Sequence, residues 1–165
     1  MQDSGIQLLD TSLFRDLIDR ARRSPRLRTN HNFHASPEDN PHRFLNVMEK
    51  GTYITPHRHV DPPKAESFLV LEGEIAFFTF DDSGNIITTH VLGRDPVGID
   101  IRPGMWHTMA VLSAHAICYE VKPGPYSATT DKDFAAWRHE RVIRARSGIS
   151  SCCLQKSRCL RTPPN

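Results

Sequence analysis

Between residues 43 and 121 turn-forming residues cut the chain into apolar runs of four to seven residues, and no helical apolar period intervenes. The runs are 44–48, 52–55, 67–71, 75–80, 86–92, 98–101, 108–112 and 116–121. Glu49-Lys50-Gly51, Glu72-Gly73 and Asp81-Asp82-Ser83-Gly84-Asn85 supply turns between them. Many short strands at this spacing predict an all-β sandwich or barrel. A parallel βαβ sheet is not expected, because it needs helical crossovers and no helical period intervenes here. With 9 glycines and 12 prolines, the composition also suits a loop-rich β protein better than a helical bundle.

Upstream, residues 8–21 read as a helix. Leu13, Phe14, Leu17, Ile18 and Ala21 follow the i, i+3, i+4 spacing of one apolar face. Thr11 or Ser12 is the expected N-cap, and Ser24-Pro25 ends the helix. The arginines from Arg20 to Arg28 have two readings: a cationic helix end with a solvated face, or an anion-binding patch. Residues 29–42, with Asn30, His31, Asn32, His34 and His42 among turn formers, read as loop.

These readings give an organisation of 1–42 as N-terminal helix and loop and 43–126 as barrel. Residues 127–143 follow as a strap with a short helical turn over 131–137, and 144–165 as a basic tail without apolar period, expected to be disordered. Residues 1–137 hold 14 Lys and Arg against 18 Asp and Glu, whereas 138–165 hold 7 against 1. An acidic body argues against a nucleic-acid platform. No apolar run approaches the roughly 20 residues that span a bilayer, so no membrane partner is expected. The start, Met1-Gln2-Asp3-Ser4-Gly5, has neither the basic nor the apolar region of a secretory leader, and the expected location is cytoplasmic. Cys118 lies in an apolar run and reads as a small buried hydrophobe; Cys152, Cys153 and Cys159 lie in the tail without zinc-ligand spacing.

The chemistry concentrates in Pro56-His57-Arg58-His59, continuing to Glu66 and Gly73. On extended backbone His57 and His59 share a face and Arg58 takes the other. Two imidazoles and a following carboxylate are most of a divalent-metal site. His107, in Arg102-Pro103-Gly104-Met105-Trp106-His107, is the expected fourth ligand. This set suits Zn2+ or Fe2+ best and also admits Ni2+ or Mn2+. If Asp61-Pro62-Pro63 fold into a compact bulge, Glu66 returns to the face of His57 and His59, with Phe68 and Val70 beside it. The alternative pairs Glu66 with Lys64 or Arg58 at the rim.

At these residues the chain resembles the cupin superfamily. Gly51, His57, His59, Glu66 and Gly73 are similar to its first motif, and Gly98, Pro103-Gly104 and His107 to its second. The spacer from His59 to Glu66 is longer than usual, Pro103 directly precedes Gly104, and Val111 stands where an asparagine is often found. The resemblance implies a cupin double-stranded β-helix, a jelly-roll barrel with a metal in its mouth. A narrower resemblance, over residues 10–137, is to the WbuC family of cupin-fold metalloproteins. It is carried by Arg26, Arg28, Asn30, His34, Pro56-His57-Arg58-His59, Lys64, Glu66, Trp106-His107-Thr108, Glu120-Val121-Lys122-Pro123-Gly124-Pro125-Tyr126 and Lys132-Asp133-Phe134-Ala135. Members are often encoded with surface-polysaccharide genes.

Together these readings predict a metal-dependent enzyme on a small polar, sugar- or sugar-nucleotide-like substrate. It would be an isomerase or epimerase, or a dioxygenase if the ion is iron. The alternative is a non-catalytic metal- or ligand-binding module. Glu120, Tyr53 and His34 are candidate bases; each also has a structural reading, as a strand-end ion-pair partner, a core residue and a loop histidine. Lys64, Phe68 and Arg43 are expected to contact substrate. A homodimer is compatible with a small barrel, but no interface is legible.

Overall fold

The computed structural model describes residues 5–137. Helix α1 (Thr11–Arg23) comes first. The strands β1 (Arg28–Asn32), β2 (His42–Glu49), β3 (His57–Arg58), β4 (Glu66–Glu72), β5 (Ile75–Phe80), β6 (Ile86–Leu92), β7 (Gly98–Ile101), β8 (Trp106–Val111), β9 (His115–Lys122) and β10 (Asp133–Phe134) follow. They form two five-stranded antiparallel sheets, β1-β2-β9-β4-β7 and β10-β3-β8-β5-β6. This is the expected jelly roll with a short N-terminal helix.

Alternation along the strands explains the layers. On β2, Phe44, Asn46 and Met48 face the barrel interior, while Leu45 and Val47 face outward under α1. Leu17 and Ala21 of the helix pack on Leu45, Val47 and Ile117. Strand β5 is buried throughout because Ile75 and Phe77 enter the central core, and Ala76, Phe78 and Phe80 pack outward with Trp106, Ala135 and Trp137. Each fully buried large side chain contributes about 1.5–3 kcal/mol.

Along the inner face, composition changes from one end of the barrel to the other. Strand β4 presents Val70, Phe68 and then Glu66; β8 presents Val111, Met109 and then His107; β9 presents Cys118, then Glu120 and Lys122. Register sets these series side by side, with His57 opposite His107 and Phe68 opposite Glu120. The apolar ends close the barrel as one core, and the polar ends define its mouth.

Several local expectations change. The helix runs over Thr11–Arg23 rather than 8–21, and its N-cap is Asp10, whose carboxylate accepts the Leu13 N–H at 2.9 Å. Ser12 donates to that carboxylate instead of capping. Residues 28–32 are a strand, not loop. Arg-Thr-Asn-His-Asn has no apolar alternation to reveal it, and its pairing with β2 alone makes it β. The segment 52–55 joins no ladder, and the strand falls at His57–Arg58. Instead of a helical turn at 131–137, Asp133 and Phe134 pair with β3. Residues 138–165, and with them the basic tail and Cys152, Cys153 and Cys159, lie outside the described residues. No helix among the described residues is long and apolar enough to cross a membrane.

Candidate metal centre

Residues 56–59 enter the mouth as a short extended segment between β10 and β8. His57 and His59 point inward, and Arg58 points out, where it bonds Asp133 at 2.9 Å and Asp82 at 3.2 Å and lies 4.3 Å above the Trp106 ring. The next residues fold back on themselves through a Val60–Pro63 bridge, which delivers Glu66 to the first residue of β4. Phe68 and Val70 share its buried face, as alternation requires. The second motif is tied to the first by Gly104. Its φ of +80° suits the turn before β8, and its N–H donates to the His59 carbonyl at 3.0 Å.

His57, His59, Glu66 and His107 are thereby buried together, and one ligand atom from each lies within 4.8 Å of the others. Each ring has its Nδ1 committed: His57 to the Thr55 carbonyl at 2.9 Å, His107 to the Met105 carbonyl at 2.9 Å, and His59 to the Asp131 carbonyl. An Nδ1–H donating to a carbonyl leaves Nε2 with a lone pair. Burial, followed by the charges of Lys132 and His107, holds the His57 imidazole neutral, well below its usual range. The Nε2 atoms of His59 and His107 lie 3.1 and 3.0 Å from the Glu66 carboxylate.

Those two nitrogens and Glu66 Oε2 have no hydrogen-bond partner among the described residues. An unsatisfied buried polar atom costs about 1–3 kcal/mol, and three in one place are a large fraction of the roughly 5–15 kcal/mol that stabilises a domain. A cation shared by the lone pairs and the carboxylate removes that cost. Imidazole nitrogen with carboxylate oxygen is a donor set for a divalent first-row ion, so the cluster fits a metal. Neither partner of the alternative reading is available to Glu66: Lys64 bonds Asp131 at 2.7 Å and Arg58 faces outward.

Three of the four, His57, Glu66 and His107, lie on the wall of a cavity of about 640 Å3. Glu120, His34 and Phe68 line it. Glu120 accepts a hydrogen bond from Asn46 Nδ2 and lies 3.7 Å from Lys122 Nζ. Burial, then the Glu66 charge, pushes its carboxyl up to about 8. The His34 ring stacks on His42 at 4.1 Å, and its Nδ1 is 3.0 Å from the Arg43 carbonyl.

Three expected site residues lie elsewhere. Tyr53 is off the cavity wall, which its neighbour Ile54 lines instead. Arg43 is exposed on the outer face of β2, where alternation with Phe44 and Asn46 puts it. Lys64 is fully buried as a clamp, bonding Asp131 and the Pro125 carbonyl to hold the 123–131 strap. Asn46, Lys122 and Asp131 were not expected. Lys122 lies 3.5 Å from Glu66 and 3.3 Å from Asp131. The spacing Cys118, Glu120, Lys122 carries a signal for one strand face, whereas nothing local marks Asp131.

Fold and site together define a cupin-type jelly roll whose mouth holds a buried cluster of three histidines and one glutamate, able to bind a metal ion. The chain belongs to the family described as a domain of unknown function (DUF6016), which matches residues 9–92. Comparison with curated proteins found no match. Among solved structures, it is similar to the capsular polysaccharide assembling protein CapF from Staphylococcus aureus, with a TM-score of 0.56 at 19% identity, covering 67% of this chain and 32% of CapF. It thus spans about a third of that protein. It is also similar to Cellulomonas parahominis L-ribose isomerase, solved with L-ribose, with a TM-score of 0.55 at 14% identity, covering 69% and 72%. A recombinant oxalate oxidase in complex with glycolate gives a TM-score of 0.51 at 14% identity, covering 68% and 57%. At these identities the likeness is one of fold, and function must be argued from the site.

Proposed function

We propose that the chain is a metal-dependent enzyme of WbuC type that acts on a small polar substrate of the sugar or sugar-nucleotide class, in the making of surface polysaccharide. His57, His59, Glu66 and His107 hold one divalent ion, with Zn2+ or Fe2+ favoured by the donor set. The observation that carries this reading is the group of unpaired, buried ligand atoms of which His107 and Glu66 line a cavity large enough for a small molecule. The WbuC-like motifs support the pathway, and the sugar isomerase and the capsule protein with the same fold guide the choice of substrates to test.

When bound, such an ion supplies Lewis-acid polarisation of a substrate carbonyl or hydroxyl. The chain's own residues do the rest. Phe68 and Ile54 give the cavity an apolar wall, and Asn46 orients Glu120. Glu120 holds its proton near neutral pH and is the cavity group suited to exchange it with substrate.

Elemental analysis of protein purified without a histidine tag is the first test; about one divalent ion per chain is expected. The metal-loaded protein is then assayed for isomerisation, epimerisation and oxygen uptake on aldoses, ketoses, their phosphates and nucleotide sugars. Turnover that disappears in His57→Ala supports the enzyme. Binding without turnover across the panel makes the chain a ligand-binding module. Failure to retain or take up any metal overturns the centre.

A further inference from the structure

The cavity wall also holds cations that the metal centre leaves unused. Strand β1 sends Arg28, Asn30 and Asn32 to it by alternation. Just before β1, the chain turns sharply, with the Leu27 N–H donating to the Ser24 carbonyl at 2.9 Å. Leu27 has a φ of 55°, a left-handed conformation uncommon for a residue with a Cβ and of a kind concentrated at functional sites. This turn brings Arg26 onto the same wall as Arg28.

The two guanidinium groups are near enough to affect one another. Burial first, and the Arg26 charge next, lower the proton affinity of Arg28. Among the described residues neither arginine has a carboxylate within the 4.0 Å of an ion pair, although arginines elsewhere on the surface do. Arg28 is anchored through Nη1 alone, to the Tyr53 carbonyl at 2.6 Å and Thr52 Oγ1 at 3.4 Å. Its Nε and Nη2 have no protein acceptor among the described residues, and that edge is the fork that grips an oxyanion with two parallel hydrogen bonds. The cavity carboxylates cannot compensate. Asp131 is taken by Lys64 and Lys122, Glu120 by Asn46, and Glu66 by the histidine cluster. Lys132, also on the wall, has no ion-pair partner among the described residues.

We propose that Arg26 and Arg28 form an anion subsite that holds a phosphate or carboxylate group of the ligand, while the rest of the ligand reaches toward the His57, His59, Glu66 and His107 cluster. The subsite rests on the reading of this cavity as the substrate site. It narrows the substrate to an anionic sugar derivative, such as a sugar phosphate, nucleotide sugar or sugar acid, rather than a neutral sugar.

Calorimetric titration of the full chain with inorganic phosphate and, separately, with malonate tests it, on metal-loaded and on chelator-treated protein. At least one anion should bind saturably in both states, and the tighter one identifies the source as phosphate or carboxylate. Arg26→Ala, at an exposed position, should weaken that binding about tenfold or more with metal content unchanged, the effect of losing a charge-assisted hydrogen bond. Arg28→Lys keeps the charge but loses the fork, and should weaken it similarly. Arg94→Ala, whose side chain is 91% exposed on a distant turn, should bind like wild type. No saturable binding of either anion to wild type overturns the subsite, as does wild-type affinity in Arg26→Ala. Binding that vanishes on chelation places the anion on the metal, and so overturns the subsite while leaving the metal centre standing. Absent metal with intact, arginine-dependent anion binding has the opposite meaning.

Discussion

A buried imidazole nitrogen that carries only a lone pair is costly unless an acceptor of that lone pair is nearby. The Nε2 atoms of His59 and His107 and one oxygen of Glu66 are buried together without a hydrogen-bond partner among the described residues. Removing one of four metal ligands should therefore remove most of the metal, and His57→Ala and His107→Ala should each come through purification nearly metal-free by elemental analysis. Glu66→Gln should stay folded, because the amide fits the same space, yet bind metal more weakly through loss of the anionic charge. Wild-type metal content in all three would remove the centre. Glu120 makes a different prediction, about pH. Its carboxyl is raised from 4.5 to about 8 by burial and by Glu66, so folding favours its protonated form. That contribution is complete below pH 4.5 and is lost as pH rises toward about 8. In chelator-treated protein, the melting temperature of wild type should fall across this window relative to Glu120→Gln, by the equivalent of a few kcal/mol. A pH-independent difference would show that Glu120 does not titrate there. Cys118, by contrast, needs no chemistry: burial, followed by the Glu120 charge, pushes its thiol up to about 12.

At the scale of elements, α1 covers the outer face of β2 and β9 through Leu17 and Ala21. Leu17 is 1% exposed, and Leu17→Ala should cost about 2–5 kcal/mol, read as a lower denaturation midpoint. Because α1 leads into the Ser24–Leu27 turn, the same variant reports on the neighbouring Arg26 and Arg28. Metal content should be unaffected, since the ligands lie on β3, β4 and β8 and on the segment after β3. A stability loss under 1 kcal/mol would mean that the helix is only loosely docked. At the other end, Gly73 (φ +82°) closes the β4–β5 turn so tightly that a side chain there would meet the His115 carbonyl. The turn carries the chain from the sheet of β4 to the sheet of β5.

For the whole molecule, the described chain closes its outer cluster with Ala135 and Trp137, the latter packed on Phe80 at 5.0 Å and Trp106 at 5.9 Å. The sequence beyond residue 137 lacks an apolar period of its own. Truncation after residue 140 should thus leave the melting temperature within a few degrees of full length; a large fall would show that the tail packs on the barrel.

Much of this architecture is legible locally. Short apolar runs between turns specify a β barrel, and a period of two puts His57 with His59 and Glu66 with Phe68 without any coordinates. The chemistry of the donor set likewise follows from residue types alone. What only the tertiary structure decides are relations between segments far apart in sequence. Pairing with β2 makes a strand of polar residues 28–32, which have no apolar alternation of their own. The inward direction of Phe44 and Asn46 turns Arg43 out to solvent. The Asp131 carbonyl reaches back to His59, and Asp131 itself becomes the partner that removes Lys64 from the cavity. Local propensity acts over a few residues, whereas ladder register and ion pairing across about 70 residues are set by which faces bury together when the two sheets close.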